Sequence, residues 1–185
     1  MPDKPRCFWC GDDPLYIAYH DHEWGVPLHG GGALFELLLL EGFQAGLSWI
    51  TILRKRQNFR DAFHRFDPAK MARYTARDLE RLQNDTGIVR NKLKIAAAVI
   101  NAKAFLKIED FDRFLWQFAN GQTLRDPRGM TRERMRATSP ESDQMSKELV
   151  RRGFKFVGST ICYAFMQASG MVDDHIEGCW KYVDR

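Results

Sequence analysis

The sequence predicts an all-α fold. Apolar and polar residues almost nowhere alternate over a strand's length, whereas apolar residues recur at helical spacing in several stretches, and helix-starting signals precede them. A chain of 185 residues supports one domain, or two small helical lobes sharing one core, with about 70% of its unfolded surface buried. Residues 1–185 are therefore treated as a single domain, since no internal repeat or low-complexity segment divides them.

The elements follow in order. Residues 1–29, punctuated by Pro5, Gly11, Pro14, Gly25 and Pro27, read as loop plus one short helix at LYIAYH. After the flexible triplet Gly30–Gly32, Leu34, Phe35 and Leu37–Leu40 are too few for a membrane span and too apolar for a surface helix, so they predict a buried helix ended by Gly42. Leu47, Ile50 and Leu53 share one face of a second helix, which continues into the basic RKRQNFRDAFHRF before Asp67-Pro68. Thr75 and Asp78 form a capping box for a helix through Leu82 and Gln83 that Gly87 breaks. Leu93, Ala96, Ala97, Ile100 and Ala104 mark the next helix through Phe105, and Phe111–Phe118 a short one containing Trp116. Residues 121–137 are the least ordered-looking segment; five arginines and two acids give it a charge of +3. Ser139-Pro140 starts a helix ending at Arg151-Arg152-Gly153, and Ser159–Ala168 forms the last, stopped by Gly170.

Composition bounds the function. Charged residues at 28% and hydrophobic ones at 44% are ordinary for a globular protein and exclude wholesale disorder. The 28 Lys and Arg against 24 Asp and Glu leave +4, a mild lean toward anionic partners that identifies none. The N-terminal MPDKPRCFWCGDD lacks both the apolar run of a secretory signal and the character of a transit peptide, so a cytoplasmic location is expected. In that reducing compartment Cys7, Cys10, Cys162 and Cys179 point to metal ligation or packing before disulfides.

Five groups of residues carry candidate chemistry. Glu41 follows the leucine run, placing a carboxylate in the interior near the negative end of a helix, a cost that some role must offset. Cys7 and His20 near the start, with His175 and Cys179 near the end, make a complete tetrahedral zinc set with no open position, so a metal there would staple the termini without activating water. Cys7-x-x-Cys10 could chelate as well, and chance pairing gives the same pattern. Gly153-Phe-Lys-Phe-Val-Gly158-Ser-Thr160 between two helices is either a tight connection or a turn that offers Lys155 and the backbone N–H groups of Gly158, Ser159 and Thr160 to a phosphate. Trp9, Tyr16, Tyr19 and Trp49 are core aromatics or, beside an interior carboxylate, a stacking cage for an extruded base. The arginine-rich segment is a solvated loop or a phosphate contact.

The strings RCFW, DPLYIAYHDHEWGVP, LFELLLLEGFQAGLSWITIL, FDPAKMA, GIVRNKLKI and RRGFKFVGSTICYAFMQASGMVDDHIEGC resemble the 3-methyladenine DNA glycosylase I family over nearly the whole chain, residues 108–140 matching poorly. The resemblance implies a helix-hairpin-helix DNA glycosylase that removes 3-methyladenine from alkylated double-stranded DNA and leaves an abasic site in base excision repair. It implies a structural zinc on Cys7, His20, His175 and Cys179, with Cys7 rather than Cys10 as ligand. The base pocket maps onto Glu41, the group credited with catalysis, with Trp9, Tyr16, Tyr19 and Trp49. Gln44, Gly46 and Leu47 fall where family members approach the gap left by the extruded nucleotide. A monomer with no membrane association is expected. The family lacks the catalytic aspartate of many relatives and carries asparagine at the position of Asp173, which here is either a general base or, preferably, a polar exchange beside a zinc ligand. No lysine matches a Schiff-base role, so base removal without strand cleavage is expected. Two rivals stand beside this reading: a zinc-stapled module that senses lesions without cutting them, and a thiol redox protein using Cys7 and Cys10.

Overall fold

The computed structural model describes residues 4–183. Its helices run α1 (Pro14–His22), α2 (Gly31–Gln44), α3 (Trp49–Ala62), α4 (Pro68–Met71), α5 (Ala76–Asn84), α6 (Lys92–Phe105), α7 (Phe111–Trp116), α8 (Pro140–Arg151) and α9 (Ser159–Ala168). Among the described residues the one strand-like feature is an isolated parallel bridge between Leu124 and Val172, and no helix is long and apolar enough to cross a membrane.

Helix starts follow side-chain chemistry. Asp13 accepts hydrogen bonds from the N–H groups of Leu15 and Tyr16, Asn91 from those of Leu93 and Lys94, and Asp110 from that of Arg113. Thr75 with Asp78, and Ser139 with Ser142, form reciprocal capping boxes. The sequence reading missed α4 although its signals were present: Asp67 caps the N–H groups of Ala69 and Lys70, and Pro68 opens the helix. Four residues are too few for a period to show.

Helix α2 is the centre. Leu34, Phe35, Leu38, Leu39, Leu40 and Phe43 are all buried, and the helix packs against α3, α6, α7 and α9. Phe35 meets Phe105 and Phe111, while Phe43 meets Phe59 and Phe63. Three expectations need correction. Gly31 and Gly32 belong to the first turn of α2 rather than to a linker before it. Gly42 does not end the helix, which continues to Gln44; it packs against the hairpin, where a Cβ would lie 3.4 Å from Phe156. The second helix begins at Trp49, leaving Leu47 on an exposed turn.

The arginine-rich segment is also corrected. It has little regular structure, yet its charges are committed within the fold. Arg125 pairs with Asp173, and Arg128 and Arg136 both reach the buried Asp126, which they hold well below the usual carboxylate range. Arg134 donates to the carbonyls of Arg128 and Gly129, and Arg132 lies over the Phe8 ring at 4.3 Å. Backbone bonds from Asp173 to Leu124 and from Glu177 to Met130 wire the segment onto the C-terminal turn.

Because α2 organises the core, Phe35→Ala is expected to cost about 3–5 kcal/mol of stability, whereas Leu93→Ala, on an exposed face of α6, should stay within about 0.5 kcal/mol. Urea unfolding of the two variants checks the contrast.

Candidate functional site

A cavity of about 200 Å³ lies at the C-terminal end of α2 and is lined by Trp9, Tyr16, Tyr19, Trp24, Glu41, Gln44, Trp49, Met135, Ala164 and Gln167. Tyr16 and Tyr19 are three residues apart on α1, Glu41 and Gln44 on α2, and Ala164 and Gln167 on α9, so each helix presents one face. Trp49 opens α3, and Trp9 comes from a 3-10 turn, Phe8–Cys10. Ring centroids lie 5.1 Å apart for Trp9 and Tyr16, 6.3 Å for Tyr16 and Tyr19, and 5.6 Å for Tyr19 and Trp49. All five residues assigned to the base pocket from the sequence are brought together. Gln44, expected at the DNA gap, lines the cavity as well. Trp24, Met135, Ala164 and Gln167 were missed.

Glu41 is the one carboxylate among the lining residues. It is 3% exposed, and burial alone pushes its pKa up to about 8, with no neighbouring cation to oppose the shift. Burial, with Glu41 nearby, also raises the Tyr19 hydroxyl, which stays a hydrogen-bond donor at neutral pH. A roomier cavity of about 260 Å³ shares Tyr19 and Trp49 from the other side. Its four Arg and Glu residues are paired with one another, Arg56 with Glu23 and Arg60 with Glu36, so the Glu41 cavity is the better candidate site.

The second constellation joins the two ends of the chain. Ligand atoms of Cys7, His20 and Cys179 lie within 4.8 Å of one another, all three residues buried. His20 Nε2 faces the sulfurs, 3.4 Å from Cys179 Sγ, while its Nδ1 is 2.9 Å from Asp21, itself gripped by Arg6 and Trp180. His175 repeats the pattern: Nδ1 lies 2.8 Å from Asp173, Arg125 donates to the other Asp173 oxygen, and the buried Nε2 has no partner. The two imidazole centroids are 5.3 Å apart. Hydrogen bonding between the two cysteines, with His20 assisting, draws the Cys179 thiol down; the same bond, with burial, pushes Cys7 up. Two sulfurs, two imidazoles with carboxylates fixing their Nδ1 atoms, and an orphaned Nε2 are a donor set that could hold zinc. His175 and Cys179 sit on a turn, not a helix face. The close group holds three of the four expected ligands: His175 stands beside it through the His20 ring and, like Cys10, lies outside it, and burial raises the Cys10 thiol, which is the wrong direction for a redox nucleophile. Asp173 does not line the Glu41 cavity, so it holds a ring rather than serving as a base there.

Between α8 and α9, Phe154 and Val157 are buried and anchor a turn whose Lys155, Phe156, Gly158 and Thr160 are exposed. The Ser159 hydroxyl is committed to Asp143 and Ser142, so what Ser159 can offer an anion is its backbone N–H. At the end of α2, Gln44 Nε2 donates to the Leu47 carbonyl at 2.8 Å and Leu47 N–H returns a bond to the Gln44 carbonyl at 2.7 Å. Gly46 turns the chain there with φ of +82°, a conformation that suits glycine, and Leu47 stands exposed at the tip.

Comparison with known proteins shows the family and the fold. A family model described as methyladenine glycosylase matches residues 9–182. The chain is 51% identical over 181 residues to DNA-3-methyladenine glycosylase 1 of Escherichia coli K12, covering 96% of each chain. It is 46% identical to DNA-3-methyladenine glycosylase of Haemophilus influenzae, covering 94% of this chain and 96% of that one. A crystal structure of 3-methyladenine DNA glycosylase I superposes with a TM-score of 0.93 at 50% identity, covering 96% of this chain and 100% of that one. The Staphylococcus aureus enzyme, solved to explain 3-methyladenine recognition, superposes at 0.90 with 38% identity over 97% of each chain.

The buried carboxyl makes stability depend on pH. Folded Glu41 keeps its proton up to about pH 8, whereas unfolded Glu41 loses it near 4.5, so stability falls as pH rises through that window and levels off above it. Glu41→Gln should therefore melt like the wild type at pH 4. At pH 8.5 it should be more stable by on the order of 5 kcal/mol, which calorimetry at the two pH values measures.

Proposed function

This chain belongs to the methyladenine glycosylase family and hydrolyses the N-glycosidic bond of 3-methyladenine in alkylated DNA, leaving an abasic site; we propose that the extruded base enters the Glu41 cavity. The observation that carries the assignment is a lone carboxylate in an aromatic wall, with no cation of the protein beside it. Adenine methylated at N3 within DNA is a cation, so the base itself supplies the missing partner. Its arrival favours ionised Glu41, which accepts a hydrogen bond from the base edge, while Tyr19 adds a polar contact and Tyr16 and Trp49 cover the ring faces.

Selectivity and chemistry then share one cause. The methylated base is already a good leaving group: when the glycosidic bond breaks, its electron pair neutralises the base, and water adds to the cationic sugar carbon and gives up one proton to solvent. An unmodified adenine is neutral, gains little from Glu41 and leaves poorly. No lysine lines the cavity, which fits hydrolysis without strand cleavage.

The cofactor proposal is a structural zinc held by Cys7, His20, His175 and Cys179, with Asp21 and Asp173 aiming the two imidazoles. Bound there, zinc would stabilise the fold and leave no open position for water. Trp9 and Trp24 link the cluster to the cavity, since Trp9 packs on Tyr16 and His20, and Trp24 on His175. The hairpin at 153–158 with α8 and α9 is proposed as a helix-hairpin-helix phosphate contact, presenting Lys155 and the N–H groups of Gly158, Ser159 and Thr160. The turn carrying Gln44, Gly46 and Leu47 is proposed to enter the gap left by the base.

Base release from methylated duplex DNA, followed by chromatography, tests the pocket. Glu41→Gln should excise 3-methyladenine about 10–100-fold more slowly, the cost of one charge-assisted hydrogen bond; release at the wild-type rate would remove Glu41 from the mechanism. Metal analysis tests the staple. Wild-type protein should carry stoichiometric zinc that Cys179→Ser loses along with several degrees of melting temperature. Gly25→Ala should weaken zinc retention too, because its Cβ would lie 2.6 Å from His175 Cε1 at a φ of +72°.

A further inference from the structure

Two buried polar side chains of α6 touch neither the cavity nor the metal-ligand cluster. Lys94 is 8% exposed and Asn101 3% exposed. Lys94 Nζ donates to the carbonyls of Phe43 at 2.8 Å and Ala45 at 2.6 Å, across the end of α2 and the start of the Gln44–Ser48 turn. Asn101 Nδ2 donates to the Lys155 carbonyl at 3.0 Å and Asn101 Oδ1 accepts from the Lys155 N–H at 2.7 Å, so one hairpin residue is held from both sides. Seven residues, or two turns, separate the two side chains, which places them on one face of one helix about 10 Å apart along its axis. A small void lined by Gly42, Phe43, Lys94, Asn101 and Phe156 lies where α2, α6 and the hairpin meet.

We propose that Lys94 and Asn101 are positioning residues that fix the spacing between the two DNA-facing elements, the Leu47 turn and the Lys155 hairpin, so that both engage one duplex at once. The proposal rests on the DNA-facing roles given to those elements above.

Three features favour it over a generic packing role. The bonds go to backbone groups at the C-terminal end of α2, in the turn that follows it and in the hairpin, and the tips of both loops are exposed. Helix α6 is anchored independently, with Ile95, Ala98 and Ala102 in the core and Asn91 capping its start, so it can serve as a rigid bar. The Lys94 ammonium also sits where the last carbonyls of α2 concentrate negative potential, so its charge stabilises the helix end that carries Glu41. Two loops held at a fixed separation lose less freedom on meeting DNA than two loops that drift, and the gain appears in DNA affinity rather than in the bond-breaking step.

The test compares Asn101→Ala and Lys94→Met with wild type in three assays: excision kinetics on methylated duplex DNA, affinity for abasic-site duplex, and affinity for free 3-methyladenine. Asn101→Ala exposes the Lys155 backbone to water at a surface turn and should fold; it carries the test alone if Lys94→Met does not. The expected result is a rise of about tenfold in KM and in Kd for abasic DNA, with kcat and free-base affinity within about twofold of wild type. Parallel losses of kcat, free-base affinity and DNA affinity would show a merely structural role and overturn the proposal, as would unchanged DNA affinity. Leu47→Ala and Lys155→Ala separate the two layers of the account. If they weaken DNA binding while the α6 variants do not, the positioning role fails alone; if they too bind like wild type, the DNA-facing assignment fails with it.

Discussion

Placing the carboxyl group of Glu41 in an apolar wall is the constraint on which the rest of the structure depends. A carboxylate there is costly, and the protein supplies no cation beside it to relieve the cost. The group is held in that position by its helix: α2 is buried from Leu38 to Phe43 and braced by α3, α6, α7 and α9. Lys94 supplies positive charge at the helix end, yet spends it on the carbonyls of Phe43 and Ala45 and leaves Glu41 alone. The electrostatic imbalance is thereby kept for the ligand, and a cationic base corrects it in a way that a neutral base does not.

The walls of the cavity depend in turn on the ends of the chain. Trp9 contacts His20 on one side and Tyr16 on the other, and Trp24 packs against His175, so an aromatic layer separates the cavity from the sulfur and imidazole cluster. The arginine-rich segment completes the arrangement. Arg125 holds Asp173, Asp173 holds His175, and Met135 from the same segment reaches the cavity. Three of its arginines, Arg125, Arg128 and Arg136, tie the surface of the segment to the buried Asp173 and Asp126, which is how a stretch of net positive charge serves here as a brace.

Much of this was legible in the sequence. The all-α fold followed from periodicity, and Thr75, Ser139 and Pro140 marked helix starts that the structure reproduces. The chemistry of Trp9, Tyr16, Tyr19, Glu41 and Trp49 left core packing and a stacking cage both open, and it was the family resemblance that assigned the five to one pocket. Gln167 and Met135 could not be named: a glutamine on an apolar helix and a methionine among arginines carry no local signal until the fold juxtaposes them. Gly42 misled for a related reason, since a glycine that ends a helix and one that admits a neighbouring hairpin are written alike. Asp173 became interpretable only through its partners, His175 and Arg125.

The most direct test of the account is the ionisation of Glu41 itself. Carboxyl carbon chemical shifts of protein labelled at glutamate, followed through a pH titration and assigned with Glu41→Gln, report that group alone. The account predicts a midpoint near 8 in the free protein, falling well below neutrality when a permanently cationic dimethyladeninium occupies the cavity. A midpoint near the ordinary 4.5 in the free protein, or one that the cation leaves unmoved, would contradict it.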